Sequence, residues 1–126
     1  MEKKIILEKS QKCPGMHYDP EDEVLIIEGR SIPENPESVY QPVKDWLSGY
    51  FTESDRLNMK IVLEYINSGS SKHLMEVLKM LREYQANGKK LRIRWLYEED
   101  DESILELGEH FRDTSGLPIE IEMLIE

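Results

Sequence analysis

Met59-Lys60-Ile61-Val62-Leu63-Glu64-Tyr65-Ile66 runs straight into Asn67-Ser68-Gly69-Ser70-Ser71-Lys72. In the first stretch Met59, Ile61, Leu63 and Tyr65 alternate to one side, while Val62 and Ile66 fall on the other, the period of a β-strand. A strand apolar on both faces belongs in the middle of a sheet. The polar stretch is a turn. After it Leu74, Val77, Leu78, Leu81 and Tyr84 recur on one helical stripe. Asn87-Gly88 stops that helix, with Gly supplying the left-handed cap. A central strand feeding directly into a helix is the repeating unit of an α/β sheet.

Toward the C-terminus the unit repeats. Leu91 to Tyr97 reads as a strand with Leu91, Ile93, Trp95 and Tyr97 on one face. Arg92 and Arg94 on the other face place it nearer an edge. Glu98-Glu99-Asp100-Asp101-Glu102 leads into a helix carrying Ile104, Leu107, Gly108 and Phe111 in register, ended by Gly116 and Pro118. Ile119 to Ile125 supplies a last strand. Toward the N-terminus, Lys4 to Glu8 and Met16-His17-Tyr18 are short strands, and Asp19-Pro20-Glu21-Asp22 is a turn. Val24 to Glu28 returns as the partner of a hairpin, with Gly29 ending it. Ser31-Ile32-Pro33-Glu34 is loop, and Asn35-Pro36 opens a helix with Asn as cap and Pro at the first position. Val39, Val43, Trp46, Leu47 and Tyr50 follow at helical spacing, and Pro42 must kink that helix or delay its start. The expected fold is an α/β sandwich. It has a mixed β-sheet, about three helices beginning near Pro36, Ser70 and Asp101, and right-handed crossovers in a single domain spanning 1–126.

The chain has 126 residues, a formal net charge of -10 and a hydrophobic share of 39%. One core of ordinary size fits this length. The negative charge argues against a nucleic-acid partner and against an anionic membrane surface. Cys13 is the single cysteine, so no disulfide forms within the chain, in keeping with a reducing cytoplasm. The apolar run at Ile5-Ile6-Leu7 is too short for a signal peptide or a membrane span, which points the same way. His17, His73 and His110 lie far apart and with Cys13 form no metal motif. No cofactor motif is present: the serine stretch lacks the Gly-Lys-Ser/Thr spacing of a phosphate-binding loop. Nor does a nucleophile elbow surround Cys13.

The serine stretch is the first place where chemistry can sit. It joins a strand end to a helix start, where free N–H groups favour negative charge. Its residues either cap the helix and shape the turn, or include a hydroxyl that accepts phosphate. The acidic run is the second: a solvated helix entry, or a docking patch for a basic partner. It lacks the alternation and central Gly of a calcium loop. Most aromatic residues read as core, while Tyr65 and Tyr97, near strand ends, can flank the serine stretch.

Five segments in order carry a family resemblance. They are Gly29-Arg30-Ser31-Ile32-Pro33-Glu34-Asn35-Pro36, Tyr40-Gln41-Pro42-Val43-Lys44-Asp45-Trp46-Leu47, Leu63 through Lys72, Trp95 through Asp101, and Gly108-Glu109-His110-Phe111 with Leu117-Pro118. The chain resembles, over nearly its whole length, the SiaC family of bacterial regulatory phosphoproteins, which are similar to anti-sigma-factor antagonists of the STAS type. The resemblance implies a STAS-like sandwich with a phosphorylated hydroxyl just after the Asn that ends the central strand. Ser68 stands there, with Ser70 and Ser71 as alternates. Gly69 replaces a Ser of the family pattern, and Ile32 replaces a Tyr, so any hydroxyl role at position 32 is lost.

It also implies a partner-binding surface around Tyr65, Asn67, Ser68, Gly69, Ser70, Ser71, Lys72 and Tyr97. The partners implied are a SiaB-like protein kinase, a PP2C-type phosphatase and an output protein such as a diguanylate cyclase, which the unmodified form binds and regulates. On this reading the chain is an adaptor in a partner-switching pathway, not an enzyme. The runner-up is an acidic protein-binding module that works without phosphorylation. A small hydrolase built on the serine stretch is the third reading, and it lacks a general base that the sequence places near Ser68.

Overall fold

The computed structural model describes residues 3–125. Its elements are β1 (Lys4–Leu7), β2 (Gly15–Asp19), β3 (Val24–Ser31), α1 (Pro36–Glu53), β4 (Arg56–Ile66), α2 (Ser68–Ala86), β5 (Lys90–Tyr97), α3 (Glu102–Ser115) and β6 (Glu120–Met123). The strands form one six-stranded sheet in plain chain order, β1 to β6. β1, β2 and β3 pair antiparallel. From β3 onward each new strand is parallel to the last.

The turn chemistry of Asp19-Pro20 explains the β2–β3 hairpin. The Asp19 carboxylate accepts from the amide of Glu21 at 3.0 Å, an Asx turn that reverses the chain. Asp19 then pairs with Val24 and Gly15 with Glu28. Each later strand is reached through a helix. Because parallel crossovers are right-handed and the strands are laid down in one direction, all three helices land on one face.

That face holds the core. Leu25 and Ile27 from β3, Leu57, Met59, Ile61 and Leu63 from β4, and Ile93 and Trp95 from β5 are buried there. They meet Val39, Tyr40, Val43 and Leu47 of α1, Leu74, Val77, Leu78 and Leu81 of α2, and Ile104 and Phe111 of α3. The other face is half-exposed along β4, at Asn58, Lys60 and Val62. Farther along, two ion pairs lace it: Arg92 to Glu120 at 2.8 Å and Arg94 to Glu122 at 2.9 Å. β4 is therefore central in the sheet, as its sequence indicates, but only one of its faces is covered. β5 is one strand from the β6 edge, as its arginines indicate.

Three local expectations are corrected. β3 does not stop at Gly29; it passes through that residue (φ 105) with a register irregularity and ends at Ser31. The irregularity leaves Glu64 of β4 as the extra residue, a bulge in the partner strand opposite Gly29 and Arg30. α2 begins at Ser68, earlier than Ser70, because the Asn67 side chain caps it. Asn35 sits at the cap position of α1 without a side-chain capping bond; instead the Ser38 hydroxyl donates to the Asn35 carbonyl at 2.8 Å. α1 runs through Pro42, which has no amide to offer the Ser38 carbonyl one turn back.

α3 docks through one close contact. A Cβ on Gly108 would stand 2.6 Å from Nε1 of Trp95, and that Nε1 donates to the Ile104 carbonyl at 2.9 Å. Replacing Gly by Ala inside a helix ordinarily stabilises by about 0.5–1 kcal/mol. Here the sign reverses: Gly108→Ala should cost roughly 1–3 kcal/mol through overpacking, lowering Tm by about 4–15 °C. Thermal unfolding followed by circular dichroism checks this, and a variant as stable as the wild type would refute the contact.

Candidate functional site

β3, β4 and β5 end at the same side of the sheet, and the residues singled out by sequence gather there. Asn67 organises the exit from β4. Its side-chain oxygen accepts from the Ser70 amide at 2.8 Å and its Nδ2 donates to the Pro33 carbonyl at 3.2 Å. Its own amide donates to the Ser31 carbonyl at 2.9 Å. The cap thus satisfies a free helix amide and ties the loop after β3 to the start of α2.

Within the serine stretch the hydroxyls diverge. Ser68, the first residue of α2, is exposed, Ser71 is half-buried, and Ser70 is fully buried. Ser70 Oγ accepts from Ser31 Oγ at 2.9 Å, and Ser31 Oγ lies 2.7 Å from the Tyr40 hydroxyl. Burial pushes the Tyr40 phenol up to about 12, against the lowering effect of the Ser31 and Ser70 hydroxyls. Ser31 and Tyr40 fall in two of the resembling segments, yet sequence gave no reason to join them. They are nine residues apart, on a strand and a helix that only the crossover brings together.

Ser68 opens onto a cleft of about 1040 Å³ at the carboxyl edge of the sheet. Tyr65, Ser71 and Tyr97 line it too, as do Val62, Leu96, Leu107 and Leu124. Glu98, Asp100 and Asp101 also border it, so the acidic run and the serine stretch, read separately in the sequence, share one site. Asp101 caps α3 by accepting from the Ile104 amide at 3.0 Å. Lys9 and Arg30 are the cationic side chains of the lining, against the carboxylates of Glu28, Glu64, Glu98, Asp100 and Asp101. The Arg30 guanidinium sits 5.0 Å from the centroid of the Tyr65 ring and 3.9 Å from Glu64. Sequence reading missed Lys9 and Arg30; their signal was weak, one lying in a loop and the other just past a glycine.

Of the residues expected to meet partners, Tyr65, Ser68, Ser71 and Tyr97 face the cleft. Asn67 and Ser70 turn inward to build it. Gly69 packs on α1, where an added Cβ would meet Pro36 Cγ at 3.0 Å. Lys72 is exposed, outside the lining. The large apolar side chains most exposed among the described residues are Ile5, Ile32, Tyr65, Met123 and Ile125. All but Ile5 sit at or just past the carboxyl end of a parallel strand. Among the described residues no group of three or more His, Cys, Asp or Glu side chains is placed to hold a metal ion. No helix there is long and apolar enough to cross a membrane.

Comparison with known proteins gives one consistent answer. The family model described as SiaC family regulatory phosphoprotein matches residues 7–124. A curated protein of Pseudomonas aeruginosa strain UCBPP-PA14, named there as uncharacterized, is 31% identical over 114 residues, 90% of each chain. The solved structure of SiaC from Pseudomonas aeruginosa, described as the activator of the diguanylate cyclase SiaD and determined in complex with it, superposes with a TM-score of 0.86 at 28% identity. That match covers 94% of this chain and 98% of the other. Apo-SiaC from the same organism superposes at 0.84, also 28% identical, over 97% and 99%.

Asp101 both caps a helix and lines the cleft, and its neighbour Asp100 separates the two tasks. Asp101→Ala should lower stability by about 1 kcal/mol, and Asp101→Ser should restore most of it. Asp100→Ala, at an exposed position without a capping bond, should stay within about 0.5 kcal/mol of wild type. Urea unfolding of the three variants decides it; equal losses at 100 and 101 would remove the cap from the account.

Proposed function

Because this chain belongs to the SiaC family of regulatory phosphoproteins, we propose that it is a cytoplasmic, phosphorylation-controlled adaptor whose switch is Ser68. The observation that carries the reading is the placement of Ser68. It is exposed at the first position of α2, on the wall of a cleft lined by both apolar and acidic side chains. Unmodified, the cleft and the apolar side chains around it form a surface for an output protein. The related SiaC was solved bound to a diguanylate cyclase, and a cyclase of that kind is the output proposed here. A SiaB-like kinase and a PP2C-type phosphatase would set the phosphate level.

The electrostatics favour a switch that turns binding off. Phosphate on Ser68 adds roughly two negative charges where five carboxylates already outnumber two cations. The amides at the start of α2 tolerate that charge while it is hydrated. Covered by a partner, it would be desolvated and poorly paired, which costs several kcal/mol, on the order of a hundredfold or more in affinity. The chain itself does no chemistry in this scheme; its hydroxyl is a substrate.

Ser68 is the first helical residue and not the cap, so Ser68→Ala should change stability by no more than about 0.5 kcal/mol. It should take up no phosphate and bind the output protein as the wild type does. Ser68→Asp should bind roughly tenfold more weakly, less than the effect of phosphate, because a carboxylate carries less charge and fewer acceptor oxygens. The test incubates wild type and Ser68→Ala with kinase and ATP, maps the site by mass spectrometry, and measures partner affinity by calorimetry. Equal uptake by both chains, with the label on Ser71, would move the switch. No uptake by either would leave an acidic binding module that works without phosphorylation.

A further inference from the structure

The hydroxyls of Ser68 and Ser70 are two residues apart and face opposite environments, one exposed and the other fully buried. We propose that the buried chain Tyr40–Ser31–Ser70 is a positioning element, which holds the first turn of α2 so that the Ser68 hydroxyl is presented for phosphoryl transfer. This rests on the reading of Ser68 as the phosphoacceptor and adds which residues set its orientation.

With all three groups neutral, the geometry gives the hydrogen bonds one direction. Ser31 has a single hydroxyl proton and gives it to Ser70 Oγ. In the 2.7 Å contact between Ser31 and Tyr40, the phenol is therefore the donor. Tyr40 donates to Ser31, and Ser31 to Ser70, so one line of hydroxyls joins α1, β3 and α2. Its members are all fully buried, where a missing partner costs more than a surface bond would.

Asn67 cannot do this alone. Its side chain bonds only to backbone atoms, the Ser70 amide and the Pro33 carbonyl, and holds no side chain of the first turn. The Ser70 side chain supplies a second attachment, on the far side of Ser68 and Gly69. Between the two, the turn passes close to α1 at Gly69, where an added Cβ would stand 3.0 Å from Pro36 Cγ. With both flanks held, the backbone that carries Ser68 is set by the body of the protein and not by the turn alone. Phosphoryl transfer depends steeply on such alignment, because the attacking oxygen must lie in line with the leaving group. The docking surface seen by a kinase is unchanged by any of these buried atoms.

The variants are Tyr40→Phe, which keeps the buried ring and removes the hydroxyl, Ser70→Ala, and the two combined. With a kinase that phosphorylates the wild type, each single variant should show a kcat for Ser68 lower by roughly fivefold to tenfold, the size of one lost hydrogen bond, with KM unchanged. The double variant should be no slower than the slower single, because both cut the same line. Hydrogen exchange should quicken at the amides of 67–72 and stay unchanged in α3. Wild-type kcat in both single variants would overturn the proposal. So would losses that multiply in the double variant, or exchange that quickens equally in α3, the sign of a general loss of stability. A wild-type chain that takes no phosphate at Ser68 would overturn the underlying reading and this proposal together. Phosphorylation of wild type and variants at equal rates would overturn the positioning alone.

Discussion

The parallel pairing of β3 with β4 is the constraint on which the rest depends. Its register runs from Val24 opposite Asn58 to Ser31 opposite Ile66, so the two strands end level. The chain leaving β3 and the chain leaving β4 therefore start side by side. One becomes the Ile32–Asn35 loop and the other turns at once into α2. Level ends let the Asn67 amide reach the Ser31 carbonyl and its side chain reach Pro33. A slip of one residue would turn Leu57, Met59, Ile61 and Leu63 from the helices to the polar side. The apolar run of β4 thus enforces the register, and the register assembles the cleft. Burial energy spread over the core fixes the position of a hydroxyl that is itself exposed.

Charge is distributed over the same frame in two ways. On the open face the cations are matched: Arg92 and Arg94 each hold a glutamate of β6, and the Arg94 guanidinium draws the Glu122 carboxyl below its usual range. Elsewhere Lys44 holds Glu76 and Lys89 holds Asp55. Each such surface pair contributes little to stability. Their joint effect is to use up cations away from the carboxyl edge, where Glu98, Glu99 and Asp100 enter none of the ion pairs among the described residues. Of the five carboxylates that line the cleft, Glu64 alone is in an ion pair, with Arg30, among the described residues.

The sequence was legible where one local rule acted alone. Alternation in Met59–Leu63, the helical stripe of Leu74 to Leu81, the Asp19-Pro20 turn and the Gly116 stop all read directly into elements, whereas past Glu64 the alternation expected to bury Tyr65 fails and that ring is exposed. It misled where two rules competed. Gly29 signals a break, but pairing with β4 holds the strand through it. Val62 suggests a second buried face, yet right-handed crossovers in one direction leave that face open, while Ile66, past the irregularity at Glu64, packs on the core instead. Sequence was silent on contacts made by crossover. Neither the approach of the acidic run to the serine stretch nor the meeting of Tyr40 with Ser31 has any spacing signature, since each depends on three-dimensional closure. The single letter most informative about the site was Asn67, whose capping role moved the start of α2 back to Ser68.

The strand order has a consequence for how the chain comes into being. In many α/β sheets an early strand must wait for a late one to fill the gap beside it. Here the order is strictly sequential, so every strand pairs with its immediate predecessor, which has already been synthesised. During translation the β1–β2 and β2–β3 pairs need only strands already made, and each βα unit then adds to an existing edge. Loop closure never spans more than one helix, which keeps contact order low for a sheet with parallel strands. The growing edge that would invite aggregation is occupied by the next strand of the same chain, and the last one, β6, is short and carries charged glutamates on its open side.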